Sequence, residues 1–240
     1  MARQFKVVLL AGGKGTRLRP LTVVFPKPLV PLGDKPILDI LLTRLKNLGF
    51  DAVTISTGYL AEMIRSLCGD GSRYGLAIDY VHEEAPLGTA GALSLLDETP
   101  ENYLVMNGDL LTTLDFNNMK AYHLEQDADI TIGIFQREIS IDFGVVETEN
   151  GVFKGFREKP KLHHDVSMGV NILSARVMEH VRHNEYLDMP NLILKVHEAG
   201  GKVCCFKEDC YWLDIGRMED YAQAQTDYIE NRALFLGETR

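Results

Sequence analysis

Cysteine is scarce in this chain, tryptophan occurs once, and no long apolar run is present; each scarcity removes a class of protein. The four cysteines, Cys68, Cys204, Cys205 and Cys210, form neither a C-x-x-C pair nor a dense framework in 240 residues, which argues against a zinc site or a disulfide scaffold. No stretch approaches the ~18 apolar residues of a membrane span, and the run over residues 7–11 is too short for a signal-peptide core. A soluble, cytoplasmic protein is the expectation. Internal repeats, low-complexity tracts and linker-like stretches are also missing, so the chain reads as one domain over 1–240. A net charge of −9 disfavours a broad electrostatic grip on nucleic acid or on an anionic membrane, and neither is expected as a partner.

Acid is absent from one place in particular. Residues 1–33 hold Arg3, Lys6, Lys14, Arg17, Arg19 and Lys27 and not one Asp or Glu. A positive island of +6 in an acidic protein suits a small, highly charged ligand such as a nucleoside triphosphate.

What is present is an alternation of elements. Residues 5–11 (FKVVLLA) read as a buried strand running into a glycine-rich loop, and Ile37, Leu38, Leu41, Leu42, Leu45 and Leu48 recur at helical spacing over 36–48. Strands are predicted at 52–57, 76–81 and 103–107, with helices at 60–67 and 89–96 between them. This alternation predicts an α/β fold with a mostly parallel sheet. The second half changes rhythm, with strands at 128–135, 144–149 and 151–156 around a tight Glu149-Asn150-Gly151 turn. Helices are expected over 175–182, 190–199 and 217–235, with a strand near 202–206. His163-His164 falls in an expected loop, Cys204-Cys205 is expected to pack in the core, and Tyr211 and Trp212 are expected to pack around the segment that carries Asp214.

Glycine loops after strands commonly cradle phosphates, because glycine admits positive φ and lets backbone N–H groups approach an anion. Two common versions fail here: Gly13-Lys14-Gly15-Thr16-Arg17-Leu18 has leucine where the dinucleotide fingerprint needs its last glycine, and no window fits the Walker loop. The residues that do stand here are L-A-G-G-K-G-T-R-L-R-P-L-T at 10–22, F-P-K-P-L at 25–29 and V-P-L-G-D-K-P-I-L after them. With these motifs the chain resembles the sugar-1-phosphate nucleotidyltransferases, closest to the mannose-1-phosphate guanylyltransferase-like branch, from Val7 to about Tyr221. The resemblance implies a Rossmann-like three-layer αβα fold with a mixed, mostly parallel sheet and a small antiparallel sugar-binding lobe. It divides the chain into an NTP-binding half over 1–127 and a sugar-phosphate half over 128–240. Leu10, Ala11, Gly12, Gly13, Gly15 and Thr16 would then wrap a triphosphate, while Arg17 and Lys27 stabilise charge at the reacting phosphates as the catalytic pair. Chemically the pair is apt, since Arg17 offers a planar fork and Lys27 a compact ammonium on a segment stiffened by Pro26 and Pro28.

Asn107-Gly108-Asp109 follows the strand at 103–107, and strand C-termini are where open α/β sheets bind ligands. Magnesium is often held by one or two carboxylates plus substrate phosphates. By resemblance, Asp109 and Asp214 of Tyr211-Trp212-Leu213-Asp214-Ile215-Gly216 are the metal ligands, with Mg2+ as cofactor and Asn107 and Gly108 beside the nucleotide. Pro86-Leu87-Gly88-Thr89-Ala90-Gly91 looks most like the guanylyltransferase branch and would bring Pro86, Gly88 and Thr89 to the base. Glu83 would accept from the N1–H and N2–H₂ edge of guanine. Gly144, Glu158 and Lys159, in Asp142-Phe143-Gly144 and Glu158-Lys159-Pro160, match segments that hold the sugar phosphate. Asn171, in Ser167-Met168-Gly169-Val170-Asn171, stands where relatives often carry an aromatic. The expected partners are an NTP, GTP favoured, and a sugar 1-phosphate of mannose, heptose or hexosamine type. Two alternatives stay open: a uridylyl- or thymidylyltransferase of the same family, and a catalytically silent regulatory relative that binds nucleotide sugars. No β-helical or acyltransferase extension of the kind some relatives carry is expected, and assembly with identical copies is left open.

Overall fold

A computed structural model describes residues 5–238, so Arg3 of the basic island lies outside the described residues. The first half forms strands β1 (Phe5–Ala11), β2 (Ala52–Thr57), β3 (Ala77–His82), β4 (Asn102–Asn107) and β5 (Leu110–Thr112). Between them run helices α1 (Ile37–Asn47) and α2 (Ala61–Cys68), and α3 (Phe116–Glu125) follows. The second half adds β6 (Ile130–Ser140), β7 (Val145–Glu149), β8 (Val152–Arg157), β9 (Lys161–Ser174), β10 (Val203–Phe206) and β11 (Trp212–Asp214). Its helices are α4 (Met189–Glu198), α5 (Met218–Glu230) and α6 (Arg232–Leu236). Among the described residues no helix is long and apolar enough to cross a membrane.

Seven strands form one sheet in the order β10-β6-β9-β4-β1-β2-β3, to which both halves contribute. Six run the same way and β9 runs against them, pairing antiparallel with both β4 and β6. Alternation along the buried strands sorts side chains onto two faces. Val7, Leu9, Leu104 and Met106 meet α1, α2 and α3 on one face, while Val8, Tyr103, Val105 and Leu173 meet α4 on the other. The result is helix, sheet, helix. A third apolar cluster joins Leu18 and Val30 of the N-terminal loop region to Tyr228 and Phe235 of α5 and α6. Buried Arg44 of α1 ties the same parts together, donating to the Leu114 carbonyl at 2.9 Å and the Leu234 carbonyl at 3.1 Å.

The helix expected over 175–182 is a 3₁₀ helix, Ala175–His180, and three further expectations need correction. His163 and His164 sit on β9, a 14-residue strand, because the edge of β6 extends far enough to pair with them. Cys204 is half-buried and Cys205 exposed, since β10 is the edge strand of the sheet and has no full layer over either face. The helix expected over 89–96 is one α turn, Gly88–Gly91, continued by a 3₁₀ turn, Ala92–Leu95.

One buried polar residue makes stability depend on pH. His123 of α3, 2% exposed, has Nδ1 2.8 Å from the Thr131 hydroxyl and Nε2 3.2 Å from Asn102 Oδ1. The Asn102 oxygen can only accept, so Nε2 carries the hydrogen and Nδ1 accepts from Thr131. Burial pushes this imidazole down to about 4. The unfolded chain therefore takes up a proton near pH 6.5 that the folded chain refuses until about pH 4. Stability attributable to this site is complete above about 6.5 and falls through that window by about 3 kcal/mol. Denaturant unfolding at about pH 7.5 and about pH 4.5 checks this: His123→Gln is expected to lose clearly less stability than the parent over that interval, and an equal loss contradicts the assignment.

Candidate active site

The C-termini of β1 and β4 deliver two loops to one place. After β1 the chain passes through Gly12 and Gly13 to Gly15, whose φ of +57° reverses its course. A Cβ on Gly15 would come within 3.0 Å of both Lys27 and Thr22, and the Thr22 hydroxyl donates to the Gly15 carbonyl at 2.7 Å. The loop is thus folded directly onto the Phe25-Pro26-Lys27-Pro28-Leu29 segment. Arg17 follows in a short 3₁₀ turn, Thr16–Leu18, and a Cβ on Gly216, just beyond Asp214, would stand 3.6 Å from its guanidinium.

Lys27 faces two carboxylates. Its Nζ forms a very short ion pair with Asp109 Oδ2 and lies 3.4 Å from Asp214 Oδ1. The two aspartates meet because β11 pairs antiparallel with β5, setting Asp214 opposite Leu110, the residue after Asp109. Burial pushes the Asp109 carboxyl above the usual carboxylate range, the Lys27 ammonium pulls it back, and Asp214 adds to the rise. Asp109 Oδ1 is buried and lacks a hydrogen-bond partner. An orphaned carboxylate oxygen beside a second carboxylate suits a divalent cation. Among the described residues no group of three or more His, Cys, Asp or Glu could hold a metal, so any such ion would take its remaining oxygens from a ligand or water.

A cavity of about 890 Å³ opens over this cluster. Every residue assigned above to nucleotide contact lines it except Gly108, which lies buried beneath, its N–H donating to the Leu10 carbonyl at 2.9 Å. Arg17, Lys27 and Asp109 line it too. Glu83 braces the rim, for its Oε1 accepts from the Ser56 hydroxyl at 2.7 Å and its Oε2 from the Leu87 N–H at 3.0 Å. A Cβ on Gly12 would stand 2.6 Å from that Oε1, so a larger residue where the glycine loop touches this carboxylate would push Glu83 off its bonds. Glu84, exposed on the same rim, makes no hydrogen bond or ion pair among the described residues.

A second cavity of about 540 Å³ lies between the sheet and α4 and shares Leu10, Thr89 and Asn107 with the first. Asp214 and Asn171 line it. Gly144, Glu158 and Lys159 line neither cavity. They flank the β7–β8 hairpin, which forms a two-stranded sheet of its own, and Gly144 is small for a packing reason: a Cβ there would stand 2.2 Å from the Phe156 ring.

The strap over residues 185–189 was not legible in the sequence. Ala90 and Gly91 both donate to the Leu187 carbonyl at 2.9 Å, Leu187 donates to Leu87 at 2.8 Å, and Met189 donates to the Thr89 hydroxyl at 2.8 Å. Cβ atoms on Gly88 and Gly91 would come within 2.6 Å of the Leu187 carbonyl and 2.5 Å of the Glu185 carbonyl. These glycines admit the strap. It places Tyr186 on the larger cavity and Met189 and Pro190 on the smaller one. Trp212, as expected, packs beside the aspartates, donating from Nε1 to the Met168 carbonyl at 2.9 Å.

Comparison with known proteins agrees with this architecture. The family model described as nucleotidyl transferase matches residues 6–231. The chain is 33% identical over 91% of its length to the UTP--glucose-1-phosphate uridylyltransferase of Synechocystis sp. and spans 62% of that protein. It is 33% identical over 92% of its length to the D-glycero-alpha-D-manno-heptose 1-phosphate guanylyltransferase of Aneurinibacillus thermoaerophilus, covering 97% of it. The solved structure of HddC from Yersinia pseudotuberculosis complexed with GMP-PN superposes with a TM-score of 0.71 and 26% identity, over 95% of this chain and all of that one. Sequence, sheet order and loop geometry converge, and the chain belongs to the nucleotidyl transferase family.

Proposed function

We propose that this protein transfers a nucleotidyl group from a nucleoside triphosphate, GTP in preference, to a sugar 1-phosphate. One observation carries the reading: two cavities of ligand size share a wall and meet at the cluster of Lys27, Asp109 and Asp214. The larger would hold the donor, its triphosphate along Gly12–Thr16. The smaller would hold the acceptor. An acceptor phosphate oxygen attacks the α-phosphorus, the bond to the β-phosphate oxygen breaks, and its electron pair leaves with pyrophosphate. Arg17 and Lys27 hold and neutralise the phosphates, so rate comes from positioning and charge stabilisation. Magnesium, when bound, would be held by Asp109 and Asp214 and would spread the charge of the reacting phosphates. Gly144, Glu158 and Lys159 line neither cavity, and this reading assigns them no contact.

The preference for GTP rests on Glu84, a free carboxylate on the cavity rim able to accept from guanine's N–H edge. Glu83 is already bonded to Ser56 and Leu87 and acts by holding the rim in place. Tyr186, 63% exposed on the rigid strap, offers its ring to the base. Base stacking on an aromatic contributes about 1–3 kcal/mol, so Tyr186→Ala is expected to raise KM for the nucleotide by roughly 5- to 150-fold. Inhibition by inorganic tripolyphosphate, which has no base, should be unchanged, and an equal loss for both ligands would mean the strap has simply collapsed. The proposal as a whole is tested by pyrophosphate release with magnesium, crossing five nucleoside triphosphates with a panel of sugar 1-phosphates. Release with GTP is expected; release only with UTP or dTTP would refute the Glu84 reading, and nucleotide binding without any release would favour a regulatory protein.

A further inference from the structure

Lys27 is needed in two places that one ammonium cannot occupy at once. It pairs with Asp109 Oδ2 and stands 3.4 Å from Asp214 Oδ1, between the two carboxylates proposed to hold magnesium, and the phosphates of the donor call for it as well. Asp109 Oδ1 is buried, so a cation arriving from the cavity first meets Oδ2, the oxygen that Lys27 already holds. Charge sharpens the conflict. One ammonium leaves the pair of carboxylates short of neutral, a divalent cation would complete it, and both cations together would overfill it and repel each other at close range.

The side chain is free at one end only. A Cβ on Gly15 would stand 3.0 Å from Lys27 Cβ and 3.4 Å from its Cγ, so the glycine loop lies directly on the base of the lysine, and Pro26 and Pro28 stiffen the backbone on either side. Beyond Cγ the stem keeps its rotatable bonds. Lys27 lines the larger cavity together with Gly12, Gly13 and Thr16, where the donor's phosphates would come within reach of the same ammonium. We infer that Lys27 plugs the metal position in the free protein: its ammonium stands in for the cation, and Lys27 frees Asp109 and Asp214 for magnesium when it swings to the phosphates of an incoming nucleotide. The carboxylates are then never left without a counter-charge, and metal and triphosphate enter together. The inference rests on the proposed reaction for the phosphates that draw Lys27 away.

Manganese(II), whose free ion is counted by electron paramagnetic resonance, serves as the probe, with the full chain and no nucleotide. Lys27→Met is expected to bind it about tenfold or more tightly than the parent, because no ammonium has to be displaced and the carboxylates have lost their positive neighbour. Added magnesium should likewise raise the Tm of Lys27→Met more than that of the parent. Both gains should vanish in Lys27→Met combined with Asp109→Asn, which confines them to this site. Equal manganese affinity in the parent and Lys27→Met overturns the inference. The unaltered chain supplies a reading that does not depend on how the variant folds. Acylation of Lys27, followed by mass spectrometry at constant ionic strength, is expected to be slow in the free chain and to quicken severalfold, relative to the other lysines, as magnesium is added. A rate that magnesium leaves unchanged overturns the inference. A gain in manganese affinity without any pyrophosphate release would leave the plug standing and refute the transfer reaction, whereas release without that gain would refute the plug alone.

Discussion

Lys27→Met is expected to lower turnover by a factor of roughly a thousand or more. Removing a single preorganised donor from a developing charge typically costs about 10²–10³ in kcat, and Lys27 additionally separates two carboxylates that would otherwise repel each other and the triphosphate. The variant should also lose stability, because Asp109 then becomes a buried carboxylate with no counter-charge, a change worth about 3–5 kcal/mol when the charge persists. Activity and stability can be separated with Lys27→Met combined with Asp109→Asn. That pair restores charge balance, so its Tm is expected to return toward that of the parent while turnover stays lost. Melting by circular dichroism and steady-state pyrophosphate release check both halves. Turnover near the parental rate in Lys27→Met would contradict the catalytic assignment.

Gly91→Ala should be nearly as damaging, and its effect arises with no contact to ligand. The new methyl would stand 2.5 Å from the Glu185 carbonyl and 3.1 Å from the Leu187 nitrogen, both backbone atoms that cannot turn aside. The strap must move, and with it the bonds from Ala90 and Gly91 to Leu187 and the positions of Tyr186 and Met189. Overpacking of this kind costs about 1–3 kcal/mol, or a Tm fall of about 5 °C in a chain of this size. Nucleotide and acceptor affinities should both drop, since the strap walls both cavities. Gly13→Ala is the contrast: a Cβ there meets nothing within 4 Å, so Tm should hold while nucleotide binding suffers from a methyl in the cavity. Equal Tm values for the two variants would show that the strap is not held as described.

What could be read in advance follows the range of the interactions. β1 and β2 stand at their expected residues because short β-branched runs between turn residues specify a buried strand locally. β9 escaped notice because its first half, Lys161 to Asp165, is polar and exposed, and only pairing with β6 makes it a strand. α3 escaped for a related reason, its sequence Phe116–Glu125 having a weak apolar stripe from which Phe116, Met119 and His123 alone are buried. In the candidate site, the glycine loop, Asp109 and Asp214 announced themselves through local motifs. The reason for Gly88 and Gly91 did not, since it lies about a hundred residues away in the strap. Tyr186 was invisible for the same cause. The place of Asn171 on the wall of the second cavity was likewise unreadable until β9 was recognised as a strand.

The central proposal is direct attack by a sugar phosphate oxygen on the α-phosphorus, and mass spectrometry tests it with a sugar 1-phosphate whose phosphate oxygens carry the heavy oxygen isotope. Direct transfer puts all of this label in the nucleotide sugar and leaves the released pyrophosphate unlabelled. Label in pyrophosphate, or pyrophosphate released at the same rate with no sugar phosphate present, would contradict it.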